Sequence, residues 1–139
     1  MKMHNQNIDQ KGAAAVEFAI ILPLLMLLVF GIIDTGLLLY NQQIITNASR
    51  EGARAGIARS PISIETVVEN YCSSRLFPAG TLPSNVIVSG GGNFQNDLTV
   101  TVTLEHNFMF AGIVGLSPTI TMTGQTVMKM ELVPPPPSS

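Results

Sequence analysis

The sequence contains few of the residues that build catalytic centres, metal sites or disulfide frameworks. Its 139 residues include one cysteine, two histidines and no tryptophan. The single cysteine, Cys72, cannot form an internal disulfide, so an exported form of the chain must rely on packing or on neighbours. The sequence has no metal-spaced cluster, nucleophile elbow or phosphate loop. We therefore expect a protein that is not an enzyme and that needs no cofactor.

Charged residues are also scarce. Asp, Glu, Lys and Arg make up 12% of the chain, which is about half the usual share of a soluble domain. The formal net charge is −2, and no basic stripe is present. These features argue against nucleic-acid binding. Hydrophobic residues make up 46% of the chain, and their densest stretch lies near the N-terminus.

That stretch runs from Gly12 to Ile33 and reads GAAAVEFAIILPLLMLLVFGII. Its only ionisable side chain is Glu17, and the next charge along the chain is Asp34. At ~1.5 Å per residue, a helix of this length crosses the ~30 Å hydrocarbon core of a bilayer. The stretch therefore predicts one transmembrane helix over about residues 13–34, with membrane lipid as a partner. Pro23 lies inside it and should kink it, because proline has no N–H to donate.

Glu17 requires an explanation, since a carboxylate inside an apolar helix costs about 2.5 to 3.5 kcal/mol on insertion scales. In one interpretation it lies in the first helical turn, where headgroup water and the helix N-terminus favour an acid. In the other, the chain is cut after Gly12. The new ammonium group of Ala13 then pairs with Glu17 of the same or a neighbouring subunit.

Lys11-Gly12 followed by AAAVEF resembles the prepilin-type cleavage and assembly motif. The longer run AAAVEFAIILPLLMLLVFGIIDTG, continued by NASREGARAGIA, resembles the TadE-like pseudopilins (minor pilins) of tight-adherence (Tad, type IVc) pilus systems. The resemblance covers about Gly12 to Ala58. It implies cleavage by a prepilin peptidase and assembly with other pilin subunits on an inner-membrane platform driven by an ATPase. It also implies a bacterial inner-membrane location with the leader in the cytoplasm and the C-terminal domain outside, and possible entry into a surface filament.

A secretory signal peptide is the main alternative for the N-terminus. Its apolar region should be only about 7 to 15 residues long and end at a small-x-small site. The uncharged run from Phe18 to Ile33 is longer, and no A-x-A occurs in the dozen positions after it. Charge counting does not fix the orientation, because Lys2 and Lys11 precede the span while Arg50, Arg54 and Arg59 lie beyond it.

The helical pattern continues beyond the membrane to Arg59 and ends before Ser60-Pro61, because the residue before a proline avoids the α region. One side of this extension is polar, at Gln43, Asn47, Arg50 and Arg54. The opposite side carries small residues four apart, Ala48, Gly52 and Gly56, which permit close backbone contact. These small residues form a groove, and two occupants of it are possible: the chain's own sheet or another subunit.

The rest of the chain predicts a small α+β domain. Ser63 caps a short helix whose apolar face includes Cys72 as a buried thiol. Strands follow at 85–89, at 98–104 with alternating Val and Thr, and from Ile120 to Leu132, with a bulge at Gly124. We expect a leader at 1–12, a long helix at 13–59, a small extracytoplasmic domain at 60–132 and a Pro-rich tail at 133–139.

Between the last two strands lies FMFAGIVGLSP, which is too apolar for an ordinary solvated loop. It either packs under the sheet or forms an interface. His106, near a strand end, is interpreted as a surface or hydrogen-bonded residue. The candidate site residues are Gly12 and Ala13 for processing; Glu17, Pro23, Ala48, Gly52 and Gly56 for assembly; and Phe108, Phe110, Ile113 and Leu116 for an interface loop.

Two function classes follow. The first is a structural pseudopilin, cleaved after Gly12 and taking part in assembly of a pilus for adhesion or secretion. The second is a single-pass envelope protein whose exported domain binds a ligand or protein and never enters a filament. The mature N-terminus distinguishes them, because only the first requires cleavage.

Overall fold

The computed structural model describes residues 6–78, 81–91, 97–110, 112, 115 and 118–129, with side chains from residue 12 onward. The start of the expected leader, the end of the third expected strand at Met130 and Leu132, and the 133–139 tail lie outside these residues. Two helices and three strands follow in order: α1 (Gln6–Ile57), α2 (Ile64–Ser73), β1 (Asn85–Ser89), β2 (Asp97–Asn107) and β3 (Thr119–Lys129). The predicted α+β fold is confirmed.

The chain divides into two compact units, an N-terminal unit, Met1–Gly36, and a C-terminal unit, Leu37–Ser139. Helix α1 contributes to both. It continues through Pro23 without interruption. It also begins within the expected leader, so no break in secondary structure marks the position of Gly12.

α1 ends at Ile57, two residues before the expected end, in a cap that the sequence pattern did not indicate. The N–H of Ser60 donates to the carbonyl of Ala55 at 3.1 Å, and the N–H of Arg59 donates to that of Gly56 at 3.3 Å. Arg59 has a φ of 51°, in the left-handed region. These are the two hydrogen bonds of a Schellman motif, here closed by arginine where glycine is usual.

α2 begins as predicted. Ser63 is its N-cap, and the Ser63 hydroxyl accepts a hydrogen bond from the Thr66 N–H at 3.3 Å. This satisfies one of the amide donors that a helix start leaves without an intrahelical acceptor. Val68 and Cys72, one turn apart, are the buried residues of this helix. α2 therefore covers the core with one narrow face.

The three strands form one antiparallel sheet in the order β1-β2-β3. On β2, buried residues alternate with threonines, so Val100 and Val102 face the core while Thr101 faces away. The buried apolar core is formed by Ile44, Ile45, Ala48, Ala53, Val68, Cys72, Leu76, Leu98, Val100, Val102, Leu104 and Met122. The sheet therefore packs one face on the helices of the C-terminal unit, as the period-two pattern predicted.

Gly124 does not mark a bulge, so that prediction is wrong. It remains in regular register opposite Val102. Gly124 instead allows β3 to approach α1 closely, because a Cβ at this position would lie 2.8 Å from the carbonyl carbon and oxygen of Ile45 on α1. Beside it, the Gln42 side-chain amide donates to the Thr123 carbonyl at 3.0 Å. The backbones of α1 and β3 thus meet where a side chain is missing.

Cys72 is a free thiol with 0% exposure, as predicted. Burial raises its pKa from 9.0 to about 11, and the nearby Arg75 guanidinium lowers it only in part. The thiolate is the reactive form of cysteine, and a raised pKa keeps Cys72 in the thiol form. Cys72 therefore serves as a core residue.

We expect Gly124→Ala to destabilise the C-terminal unit by about 1 to 3 kcal/mol, because the added methyl group meets α1 backbone that cannot rotate away. Equilibrium urea unfolding of the full chain, followed by tyrosine fluorescence, measures the change. The control is Gly36→Ala, where a Cβ has no atom within 4 Å. That substitution should not lower stability, because alanine is the better helix former. Equal effects of the two changes would contradict the close contact.

The Cys72 pKa predicts a pH dependence of stability. The folded-state pKa lies above the unfolded value, so this thiol contributes stability that is fully present below pH ~9 and is lost as pH rises toward ~11. The difference in free energy of unfolding between wild type and Cys72→Ala should therefore shrink over that range. At pH 8, iodoacetamide should modify the thiol only after urea is added. Fast alkylation of the folded protein would contradict the assignment.

Candidate functional site

The expected processing residues lie on an accessible part of α1. Gly12 and Ala13 are both exposed, and a Cβ added at Gly12 would have no atom within 4 Å. A small side chain and free surrounding space are what an enzyme needs to reach the peptide bond between them. Because the segment is helical, a peptidase would have to open the helix locally before cutting.

Most apolar side chains of the N-terminal unit are exposed, while Leu22 and Phe30 are half-buried. Among the described residues, one helix is long and apolar enough to cross a membrane, and 0% of its most apolar window is buried. A core helix of a soluble protein would be mostly buried, so this surface needs an apolar environment from outside the chain. The exposed residues include Val16, Phe18, Ile20, Ile21, Leu24, Leu27, Leu28 and Ile32. This helix is compatible with a membrane anchor.

Glu17 lies on this same apolar surface and is exposed. Within the described side chains it has no hydrogen-bond or ion-pair partner. The two interpretations of Glu17 both remain, since headgroup water or a second subunit would come from outside the chain. Pro23, six residues further along, is exposed as well.

The small-residue groove of α1 is filled by the chain itself. A Cβ at Gly52 would lie 2.7 Å from Cγ2 of Val68 on α2, and a Cβ at Gly56 would lie 2.5 Å from Cδ2 of Leu98 on β2. Ala48 is fully buried beside them. Of the two expected occupants, the chain's own α2 and sheet are therefore the ones that the structure contains, and Ala48 and Gly52 offer no surface to another subunit.

Only part of the proposed interface loop can be described. Phe108 and Phe110 are both half-buried, whereas Met109 between them is 52% exposed. Ile113 and Leu116 lie outside the described residues. Packing under the sheet and contact with a partner both remain open for this loop.

His106 is neither on the surface nor fully hydrogen-bonded, so its expected role is corrected. It is 4% exposed, and its Nδ1 atom lies 3.4 Å from Nδ2 of Asn41. Its Nε2 atom is buried and has no hydrogen-bond partner within the described part of the chain. The rings of His106 and Phe108 form a T-shaped contact, with their centroids 5.5 Å apart.

Asn41 was missed by the sequence reasoning. It is 1% exposed, and its amide bonds both backbone groups of Phe77, donating to the carbonyl at 2.7 Å and accepting from the N–H at 3.0 Å. Asn41 lies four residues before Ile45 and seven before Ala48, on the same buried face of α1. A polar residue on that face was the available signal.

The described residues contain no group of three or more His, Cys, Asp or Glu placed to hold a metal ion. His106 and Cys72 both belong to the C-terminal unit, but no hydrogen bond joins them among the described residues. The features of interest are therefore the exposed apolar helix with Gly12 and Glu17, and the buried pair of Asn41 and His106.

Residues 12–54 match a family model described as TadE-like protein. The match confirms the resemblance drawn from the sequence, and it spans Gly12, Glu17, the apolar part of α1 and its amphipathic continuation. TadE-like proteins are a structural family associated with pilus systems. No curated protein and no solved structure matches the chain.

Proposed function

We propose that the protein is a pilin-like structural subunit, cleaved after Gly12 by a prepilin peptidase and incorporated during assembly of a Tad-type pilus. The observation that carries the proposal is the coincidence of three features on one helix. The family match begins at residue 12, Glu17 follows five positions later, and most of the apolar side chains around them are exposed. A helix of this kind can leave the bilayer and pack among others of its kind.

The charges explain why cleavage and assembly would be coupled. Before cleavage, Glu17 lies in an apolar helix with no described partner. Cleavage creates an ammonium group at Ala13, one helical turn away. A carboxylate and an ammonium that pair in a low-dielectric environment offset part of each other's desolvation cost, whereas either alone costs several kcal/mol. A neighbouring subunit could supply the ammonium in the same way.

The proposed location is the bacterial inner membrane, with the leader in the cytoplasm and the C-terminal unit outside. Its partners there would be the peptidase, other pilin or pseudopilin subunits, the assembly platform and lipid. The C-terminal unit closes its core without a disulfide, so its packing does not depend on the redox state of the compartment.

One observation favours the second function class, a single-pass envelope protein that never enters a filament. The groove of Gly52 and Gly56 is filled by α2 and β2, so the C-terminal unit is packed without a neighbour. A self-contained domain on a membrane helix needs no filament. The state of the N-terminus distinguishes this alternative from the pilin-like subunit.

We expect the mature protein in its native cell to begin at Ala13. Gly12→Val should block cleavage while membrane insertion persists, because the β-branched side chain obstructs access to the peptide bond and leaves the apolar helix intact. Intact-mass measurement of the membrane fraction shows whether the variant is inserted and whether it is cleaved. The control is Gly31→Val, in the same helix and with equal free space around its Cβ. A wild-type chain that retains Met1 would contradict cleavage.

Glu17→Leu separates assembly from anchoring, because the two roles predict opposite effects. As an anchor the helix should improve, since a polar group leaves the lipid. As an assembly element it should fail, since the Ala13 ammonium loses its carboxylate. We expect the variant to be cleaved and kept in the membrane yet depleted at least tenfold from sheared filaments or crosslinked pilin complexes. Val16→Leu is the control, and wild-type recovery of Glu17→Leu would favour the envelope-protein alternative.

A further inference from the structure

The sheet of the C-terminal unit has an open edge on each side. Strand β2 is paired on both sides, whereas β1 and β3 are each paired with β2 alone. Among the described residues, one hydrogen bond reaches the open side of β3, from the Gln42 side-chain amide to the Thr123 carbonyl, and none reaches the open side of β1. Backbone groups that lack partners along a sheet edge can pair with another strand.

The described hydrogen bonds show which residues present their backbone groups at each edge. The Phe108 N–H donates to the Pro118 carbonyl, so even-numbered residues bond across β2 and β3. The odd-numbered residues of β3 then face its open edge, because the direction of the backbone groups alternates along a strand. The Ser84 N–H donates to the Thr103 carbonyl, so odd-numbered residues of β2 face β1. Val86 and Val88 therefore face the open edge of β1.

Little in these two strands prevents pairing with another chain. Natural sheets often protect open edges with charged residues, prolines or bulges. β1 contains no charged residue and no proline. β3 keeps a regular register with β2 over 11 residues and carries one charge, Lys129, at its end.

The outer face of the sheet is polar except at one position on each edge strand. Ile87 on β1 is 50% exposed, and Val127 on β3 is 56% exposed. Threonines, other polar residues and charged residues occupy the described positions of this face between them. An exposed apolar side chain on each edge strand would be covered if the two edges met in neighbouring copies.

The direction of α1 favours one pair of edges. The Gln42 amide bonds Thr123, and the Ser49 hydroxyl lies 2.7 Å from that of Thr126, so α1 runs parallel to β3. In a sheet with all helices on one face, pairing β3 with β3 of another copy would be antiparallel and would reverse one α1 segment. β1 runs in the same direction as β3, since both are antiparallel to β2. Joining β1 to β3 therefore keeps the α1 segments parallel, as chains from one membrane require.

On the β3 side of the unit, α1 presents positive charge. Gln42 and Ser49 contact β3, and Arg50 follows Ser49 by 100° around the helix, on the flank that extends beyond β3. Arg54 lies one turn after Arg50, and both arginines are exposed.

On the β1 side, α2 presents negative charge. Ile64 lies on the side of α2 that faces α1, because a Cβ at Gly56 would be 2.8 Å from its Cδ1 atom. Glu65 and Glu69 lie on the other side of Val68, away from α1, and both are exposed.

The two charged flanks also match in height. Val68 lies beside Gly52, and Ile64 lies beside Gly56, so α2 runs antiparallel to α1. Arg50 and Arg54 are therefore at nearly the same heights as the two glutamates at 69 and 65. Opposite charges on opposite flanks of one unit become complementary when copies stand side by side.

We propose that copies of this chain associate side by side through their C-terminal units, with β1 of one copy pairing in parallel with residues 125–129 of β3 of the next. Ile87 of one copy lies next to Val127 of the other, and the acids of α2 face the arginines of α1. The pairing leaves the bond from Gln42 to Thr123 intact. The contact joins two different surfaces, so it can be repeated from copy to copy.

This association goes beyond the proposed function. It requires neither cleavage at Gly12 nor a filament, so its failure would leave the proposed processing untouched.

The test uses two full-length variants, Ile87→Cys and Val127→Cys, with tags of different size, reconstituted together in liposomes. A short bismaleimide links thiols on neighbouring strands, which lie about 4.8 Å apart. We expect a product that contains one chain of each kind. Each variant alone should give at least about tenfold less product, because the contact joins two different surfaces. The wild-type chain, whose Cys72 is buried, measures the background.

Thr121→Cys is the matched control for Val127→Cys. Thr121 is exposed on the same strand and the same face, but it lies outside residues 125–129. Mixed with Ile87→Cys, it should give no product above the background.

A charge exchange tests the helices. Glu65→Arg together with Glu69→Arg on the Ile87→Cys chain places like charges at the contact and should lower the yield at least about threefold. Glu105→Arg on the same chain is the control, because Glu105 is exposed on the central strand. It should leave the yield unchanged.

The reciprocal exchange should restore the yield. Arg50→Glu and Arg54→Glu are introduced into the Val127→Cys chain, which then faces the arginine-bearing α2 of the other variant. All four exchanged side chains are exposed, so the fold should be retained.

Three results would overturn the proposal. Val127→Cys alone crosslinking as strongly as the mixture would show that β3 pairs with itself. A mixture that gives no more product than the Thr121→Cys control would exclude pairing at residues 125–129. A yield that the charge exchanges neither lower nor restore would remove the helices from the contact.

Discussion

The close approach of α1 to the sheet is the contact on which the C-terminal unit depends. Helix and strand backbones come together because Gly124 has no side chain where β3 meets Ile45. Gly52 and Gly56 do the same on the helix, where Val68 and Leu98 occupy the space of the missing side chains. Dense packing of this kind compensates for a core that has no disulfide and few aromatic residues. Small residues spaced four apart are typical of contacts between membrane helices, but here they make a contact within the chain.

The N-terminal unit is subject to the opposite constraint, because most of its apolar side chains are exposed and 0% of its most apolar window is buried. Lipid can cover that surface, and so can neighbouring helices of the same type, which makes one sequence suitable for a membrane and for a filament. The two environments differ in how they treat Glu17. Lipid offers it no partner, whereas a neighbouring subunit can offer an ammonium group. Glu17 is therefore the residue at which anchoring and assembly make different demands on the helix.

The parts that were predictable from the sequence are those in which one local pattern dominates. Alternation of Val and Thr predicted β2, Ser63 predicted the start of α2, and the apolar stretch predicted the exposed helix. Two features of the C-terminal unit were not predictable in this way, because they depend on contacts distant in sequence. Gly124 was interpreted from the strand alone, although its neighbour is Ile45. His106 was interpreted as ordinary because nothing near it in sequence indicates that Asn41 would face its ring.

Asn41 illustrates why a buried polar residue can be retained on an apolar helix face. Replacing it with leucine would extend the stripe of Ile45 and Ala48, yet it would leave the N–H and the carbonyl of Phe77 without partners. Each buried backbone group without a hydrogen bond costs about 1 to 3 kcal/mol, comparable to the gain from burying an apolar side chain. The Asn41 amide therefore joins α1 to the segment after α2 at no net loss of stability. The same two bonds orient the amide nitrogen toward His106, so the scaffold contact also determines which ring nitrogen is left to donate.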